Sequence, residues 1–181
     1  MKKTILALSI SALFATSAMS QQKVYATKTG QISFDATGTC AEAIKAVNNQ
    51  VDSKLVDKTG QIVVSVLIKS FKFPNALMED HFNENYMEST KFPKADFKGF
   101  ITNVATVNFA KDGSYPVTAK GKLTIDGKEK EMSFNGTALI EGGKLTIKSS
   151  FNVPLNDFIR GSYIGTQISA EAKATLNCKY E

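Results

Sequence analysis

Apolar and polar residues alternate along most of the chain, as expected for β-strands with one buried and one solvated face. The early part predicts a short strand at Val24-Tyr25-Ala26, a turn, and longer strands over 31–36, 44–56 and 62–68. Long alternating runs follow residue 97, and three turn dipeptides separate them: Asp112-Gly113, Asp126-Gly127 and Gly142-Gly143. Because glycine accepts a positive φ, each dipeptide predicts a tight hairpin.

The stretch 73–99 interrupts this alternation. Met78, Phe82 and Tyr86 recur every four residues with Leu77 beside them, which predicts an amphipathic helix whose first residue is Pro74. Acidic residues fill its other face. Phe92-Pro93 then ends the helix, since a residue that precedes proline is disfavoured in the α region. We expect this helix to pack on the sheet or to cover one end of it, and to act as a lid if it is mobile.

These elements predict an all-β fold with one inserted helix. About eight substantial strands at hairpin spacing, without a βαβ rhythm, favour a lipocalin-like up-and-down antiparallel barrel over a sandwich. The outward face carries lysine and threonine in mid-strand, whereas a transmembrane barrel needs an apolar outer band with aromatic girdles. We therefore expect a barrel that faces water and has no stable membrane insertion.

The N-terminus resembles an export signal. Lys2 and Lys3 precede an apolar run that is too short to span a bilayer, and Ala18-Met19-Ser20 is typical of a cleavage site. We expect residues 1–20 to be a signal peptide, residues 21–181 to be one domain, and the protein to be periplasmic or secreted. The formal net charge of +5 comes from scattered lysines. That pattern indicates a solvated face, and we expect no nucleic-acid partner.

The two cysteines predict a disulfide. Cys40 would stay in phase with the first long strand, and Cys178 lies in the last strand. First and last strands are neighbours in a closed barrel, and thiols oxidise in an exported protein. We therefore expect a Cys40–Cys178 bond at the closing seam, with two buried free thiols as the alternative.

Small residues on the inward face leave open whether the barrel is hollow or packed. A hollow barrel would suit a long hydrocarbon chain. Arg160 is the only arginine of the sequence. It could bind a lipid phosphate at the mouth of the barrel or pair locally with Asp157. The candidate ligand-binding residues are Phe34, Val64, Phe82, Phe97, Ala119, Leu123, Phe134, Phe151, Arg160 and Ala172.

Two segments resemble the YceI-like family. They are ALMEDHFNENYMESTKFPKADFKG and, after it, DGSYPVTAKGKLTIDGKEKEMSF. The resemblance implies a lipocalin-like barrel, usually exported, that holds a polyisoprenoid or another long amphiphilic lipid. The chain departs from the family in its two cysteines and in Asp126, where a histidine is common.

We therefore expect a non-enzymatic protein that carries or stores a long-chain lipid, without a cofactor or a metal. Two alternatives remain. In the first, Glu79, Asp80, His81 and Glu84 form an acid–base or metal site that acts on the lipid head group. In the second, the barrel is filled and serves as an envelope interaction protein. The oligomeric state does not follow from the sequence.

Overall fold

The computed structural model of the protein describes residues 21–181. Eight antiparallel strands form a closed barrel in sequence order, as predicted. The strands are β1 (Val24–Thr37), β2 (Lys45–Val56), β3 (Gln61–Leu67), β4 (Lys94–Ile101), β5 (Gly113–Ile125), β6 (Lys128–Glu141), β7 (Lys144–Pro154) and β8 (Ile168–Lys179). β1 pairs with β8 and closes the barrel, so no strand edge stays unpaired along this seam.

The predicted turns are right at two hairpins and wrong at two other places. Asp126-Gly127 and Gly142-Gly143 adopt positive φ in both residues and form two-residue hairpins. Asp112-Gly113 is not a hairpin, because the connection 102–112 separates β4 from β5 and contains a short 3₁₀ turn, Val104–Thr106. The predicted turn near Gly30 lies inside β1, where the register to β2 shifts on both sides of Gly30. A β-bulge accommodates these residues without ending the strand.

The inserted helix is present but shorter than the pattern suggested. α1 (Ala76–His81) continues into a π-helical turn, Phe82–Tyr86, and a 3₁₀ turn, Ile68–Ser70, precedes both. Pro74 is not the first helical residue. Asn75 caps the helix instead, because its side chain accepts hydrogen bonds from the backbone N–H groups of Leu77 and Met78.

The two ends of the barrel have different connections. One end, which we call the open end, is formed by the connections 38–44, 68–93 with α1, the turn 126–127, and 155–167 with α2 (Leu155–Phe158). At the closed end lie the turns 57–60 and 142–143, the connection 102–112 and the C-terminus. The connection 102–112 covers the closed end, where Phe109 stacks on Tyr25 at 5.5 Å between ring centroids. Both short α-helices, α1 and α2, therefore border the open end.

The predicted Cys40–Cys178 disulfide is wrong, since both cysteines are free. β1 and β8 are neighbours, but they run antiparallel, and Gln31 pairs with Asn177. Cys178 therefore lies beside Gly30, while the backbone N–H of Thr39 bonds to the carbonyl of Thr166 beyond the other end of β1. Seven residues of strand span about 24 Å, whereas a disulfide needs Cα atoms within about 7 Å. β1 ends at Thr37, so Cys40 lies in the connection 38–44 and does not continue the phase of the strand, as we had expected. The two cysteines lie at opposite ends of the seam.

The predicted signal peptide, residues 1–20, lies outside the described residues. Among residues 21–181, none of the helices has the length and apolar character needed to cross a membrane.

Candidate ligand-binding cavity

A cavity of about 490 Å³ occupies the barrel from the open end downwards. Along β5 its lining extends from Ile125 through Leu123 and Ala119 to Val117, a span of about 27 Å along the strand. Strands in small barrels tilt by about 40° from the axis, so the depth is roughly 20 Å. The lining residues near α1, such as Leu77 and His81, are exposed, and this places the mouth at the open end.

The walls of the cavity are apolar and come from the inward face that the alternation predicted. Nine of the ten candidate residues line it: Phe34, Val64, Phe82, Phe97, Ala119, Leu123, Phe134, Phe151 and Ala172. Their contact with a ligand remains a prediction. Ala119, Gly136, Ala172 and Ala174 line the same space, so the small inward residues do leave a hollow and are not compensated by larger neighbours.

Four phenylalanines form an aromatic collar below the mouth. The Phe82 ring of the π-helical turn lies 5.0 Å from Phe73, 5.7 Å from Phe71 and 5.7 Å from Phe34 of β1, between ring centroids. Edge-on and tilted arrangements at such distances are favourable. The collar therefore ties the helical segment to the barrel wall, and the apolar stripe predicted for α1 faces the cavity.

A second aromatic group lines the interior. Phe134 lies between Phe97, at 5.3 Å, and Phe151, at 4.4 Å between centroids. These rings come from β4, β6 and β7 and so narrow the cavity from one side. An extended hydrocarbon chain fits such a tunnel better than a compact polar metabolite does.

Most polar side chains of the lining are at the mouth. They are Cys40, Glu42, Asn75, His81, Tyr86, Tyr163 and Gln167. The Asn75 amide, whose oxygen caps α1, donates through Nδ2 to both carboxylate oxygens of Glu42 at 3.2 and 3.4 Å. The thiol of Cys40 donates to the Glu42 carbonyl at 2.9 Å. The connection 38–44 is thereby fastened to the start of the helix.

Arg160 does not line the cavity, contrary to our expectation. It is exposed and follows Ile159, which is buried and does line the cavity together with Phe158. The expected local pair with Asp157 is also wrong, because Lys130 is the cation near Asp157, at 3.9 Å between Nζ and Oδ1. The apolar residues just before Arg160 turn inward, and the guanidinium is left on the outer side of the connection.

The predicted acid–base cluster on the helix is not assembled. Glu79 accepts a hydrogen bond from Lys72 Nζ at 2.6 Å and one from the Phe73 backbone N–H at 3.2 Å. The bond from Lys72 is the main reason that the pKa of Glu79 is lowered. His81 is exposed at the mouth, and residues 21–181 contain no group of three potential metal ligands. Glu79 therefore fastens the start of the helical segment and does not join His81.

Several lining residues were missed by the sequence analysis. Phe71, Phe73 and Met87 flank the helical segment, and Leu155, Phe158 and Ile159 belong to the connection between β7 and β8. Phe71 and Phe73 carry a local signal, because they alternate with Lys72 as strand residues do. The connection gives no such signal, since its apolar residues become neighbours of the cavity only when β7 and β8 are paired.

A family model of the YceI-like domain matches residues 15–179. The chain belongs to the YceI-like family. The resemblance drawn from the helix and the hairpin around Asp126 is thereby confirmed, together with the lipocalin-like barrel that it implied. A search among curated proteins gave no match.

Two solved structures share the fold. A polyisoprenoid binding domain from Saccharophagus degradans, implicated in plant cell wall breakdown, superposes with a TM-score of 0.73 at 9% identity, over 89% of this chain and 99% of that chain. BcnA from Burkholderia cenocepacia gives a TM-score of 0.68 at 14% identity, over 82% of this chain and 94% of that chain. The barrel is thus preserved while most of its side chains differ.

Proposed function

We propose that this protein is an exported carrier or store for a long-chain amphiphile, which it holds with the tail inside the barrel. The observation that carries the proposal is the apolar cavity of about 490 Å³ that opens at one end. This volume falls within the range of about 300–1,000 Å³ that is common for ligand sites. The ligand of the Saccharophagus degradans domain supports an isoprenoid-like tail.

Burial of the tail accounts for the affinity. Each methylene group that leaves water contributes about 0.8 kcal/mol, so ten groups supply about 8 kcal/mol before ordering costs. That is the free energy of micromolar binding. The aromatic collar of Phe34, Phe71, Phe73 and Phe82 lies between the tail and water, and movement of α1 would admit or release the lipid.

Export is the second part of the proposal. The Lys-Lys start, the short apolar run and Ala18-Met19-Ser20 support a cleaved signal and a periplasmic or secreted protein. Sequencing of the N-terminus of the protein from the extracytoplasmic fraction tests this, with Gln21 as the expected first residue. An intact Met1 in that fraction would contradict cleavage.

Mass spectrometry of an organic extract tests the cargo, because it presumes no particular ligand. We expect one long-chain lipid per protein molecule after purification from a lipid-rich envelope. An extract that stays empty after such purification would contradict the carrier function.

Ala119→Phe tests whether the cargo occupies the cavity. Ala119 lies in mid-strand on β5, lines the cavity and has open space before it, so a phenyl ring should fill the tunnel with little strain. We expect the extracted lipid to fall by about tenfold or more while the fold persists. The control is Lys120→Phe, which puts the same ring one residue away on the outer face. Equal lipid in both variants would mean that the lipid binds elsewhere.

A further inference from the structure

The lining of the cavity contains a carboxylate but no lysine and no arginine among residues 21–181. Within the described part of the chain, Glu42 is the one residue of the lining that carries a formal charge when His81 is counted as neutral. The interior below the collar is apolar, so the polar end of a long amphiphile has to lie at the mouth, beside Glu42. The nature of the head group should therefore depend on this carboxylate.

Glu42 retains capacity to accept hydrogen bonds. A carboxylate has about four lone-pair sites, whereas one amide group, that of Asn75, bonds to it at 3.2 and 3.4 Å. Gln167 and Tyr163, which line the same mouth, can both donate and accept. A head group that donates an O–H bond fits this set, and an anion next to Glu42 does not.

The loops of the open end extend the negative charge around the mouth. The segments 38–44, 68–93, 126–127 and 155–167 contain seven carboxylates and four lysine or arginine side chains, a net charge of −3. The described chain as a whole is net positive, with 20 basic and 17 acidic residues. Two of the four cations are near carboxylates of the same loops: Lys72 is 2.6 Å from Glu79 and Lys91 is 3.6 Å from Glu88. Asp157 has Lys130 of β6 at 3.9 Å as well. The connections of the open end are thus acidic within a basic protein.

We propose that the cavity selects an uncharged, hydroxyl-bearing long-chain amphiphile, an isoprenoid alcohol, over the corresponding phosphate, and that Glu42 determines this specificity. The inference rests on the proposed lipid-binding function. The alcohol donates its O–H to the Glu42 carboxylate, while a phosphate in the same place repels it and has no cation of the lining to pair with. Discrimination thus combines an attractive contact for one head group with a repulsive one for the other.

Competition binding with geranylgeraniol and geranylgeranyl monophosphate tests the proposal, because the tails are identical. With purified protein freed of bound lipid, we expect the alcohol to bind about tenfold more tightly at neutral pH. Glu42→Gln should bring the two affinities within about threefold. The amide side chain is uncharged, so it does not repel the phosphate and does not need a hydrogen-bond donor from the head group. Glu84→Gln is the matched control, because Glu84 is exposed on the π-helical turn, does not line the cavity, and loses the same charge.

The outcomes separate the two proposals. Equal affinities for alcohol and phosphate, or tighter binding of the phosphate, would overturn the specificity and leave lipid binding intact. The same loss of discrimination in Glu84→Gln as in Glu42→Gln would assign it to overall charge and overturn the role of Glu42. Binding of neither ligand, by a protein whose circular dichroism matches that of the unextracted form, would overturn the lipid-binding function itself.

Discussion

The two halves of the barrel are built from the same alternating strands, yet one is hollow and the other is filled. In the closed half, Leu55, Leu145 and Cys178 are fully buried, and the Tyr180 and Ser53 hydroxyls lie 2.7 Å apart between them. Ala119 and Ala174 in mid-strand and Ala172 nearer the open end instead border the cavity, where larger side chains would occupy the space. Alternation therefore chooses the inward face, while the size of the inward residues decides what that face does.

The difference also separates stability from function. The closed half has the dense packing of a protein core, where removal of a methyl group leaves an unfilled space. The open half already contains a cavity, so a truncated side chain there would lose fewer packing contacts. We expect the closed half to account for most of the stability and the open half for binding.

Matched leucine truncations should show the largest effect. Leu145→Ala in the closed half should lower the free energy of unfolding by about 3 kcal/mol or more, because Leu145 is 0% exposed and a new cavity would remain. Leu123→Ala, at the wall of the existing cavity, should cost only about 1–2 kcal/mol. Urea denaturation of the lipid-free variants measures both. Equal losses would mean that the open half is packed as densely as the closed half.

The second largest effect should come from alkaline pH, which should lower the stability of the closed half. Burial raises the pKa of the Cys178 thiol from 9.0 to about 12, and it raises the pKa of Tyr180 as well. Both groups are neutral when protonated, and burial favours this form. At alkaline pH the unfolded chain therefore loses protons that the folded protein still holds. Their contribution is therefore complete below about pH 9 and declines as the pH rises towards the folded pKa.

The thiol alone should account for about 2–3 kcal/mol between pH 8 and pH 11. We expect the stability advantage of the wild type over Cys178→Ala to shrink by that amount across this range, in urea denaturation under reducing conditions. Cys40→Ala, at the mouth, is the control and should give a curve parallel to that of the wild type. A Cys178→Ala curve that also stays parallel would exclude titration of the buried thiol.

Loss of the helix cap should have the smallest effect on global stability. It should loosen the helical segment at the open end and leave the barrel strands unchanged. Asn75→Ala removes the bonds to the N–H groups of Leu77 and Met78 and should destabilise the helical segment by about 1 kcal/mol. Amide exchange should rise about fivefold in residues 76–86 and stay unchanged in β7, because only the former segment opens locally. Faster exchange in both would show that the helix and the barrel unfold together.

The sequence predicted the architecture well for a physical reason. The period of alternation and the glycine turns depend on residues close in the chain, so Val64, Phe97, Leu123 and Phe134 could be assigned to one face before their neighbours were known. Nine candidate residues line the cavity for that reason. The tenth, Arg160, was placed by its position near a barrel end, and position alone does not determine whether a side chain in a connection turns in or out.

The sequence by itself thus determined the number of strands, the inward face and the apolar stripe of the helical segment 76–86, because each follows from local spacing. The tertiary structure decided the strand register, which separates Cys40 from Cys178, and it decided which half of the barrel stays hollow. It also brought Glu42 to Asn75 across 33 residues of chain, which places this carboxylate at the mouth. These features depend on pairs of residues distant in sequence, whose contacts arise only when the closed barrel fixes all strands at once.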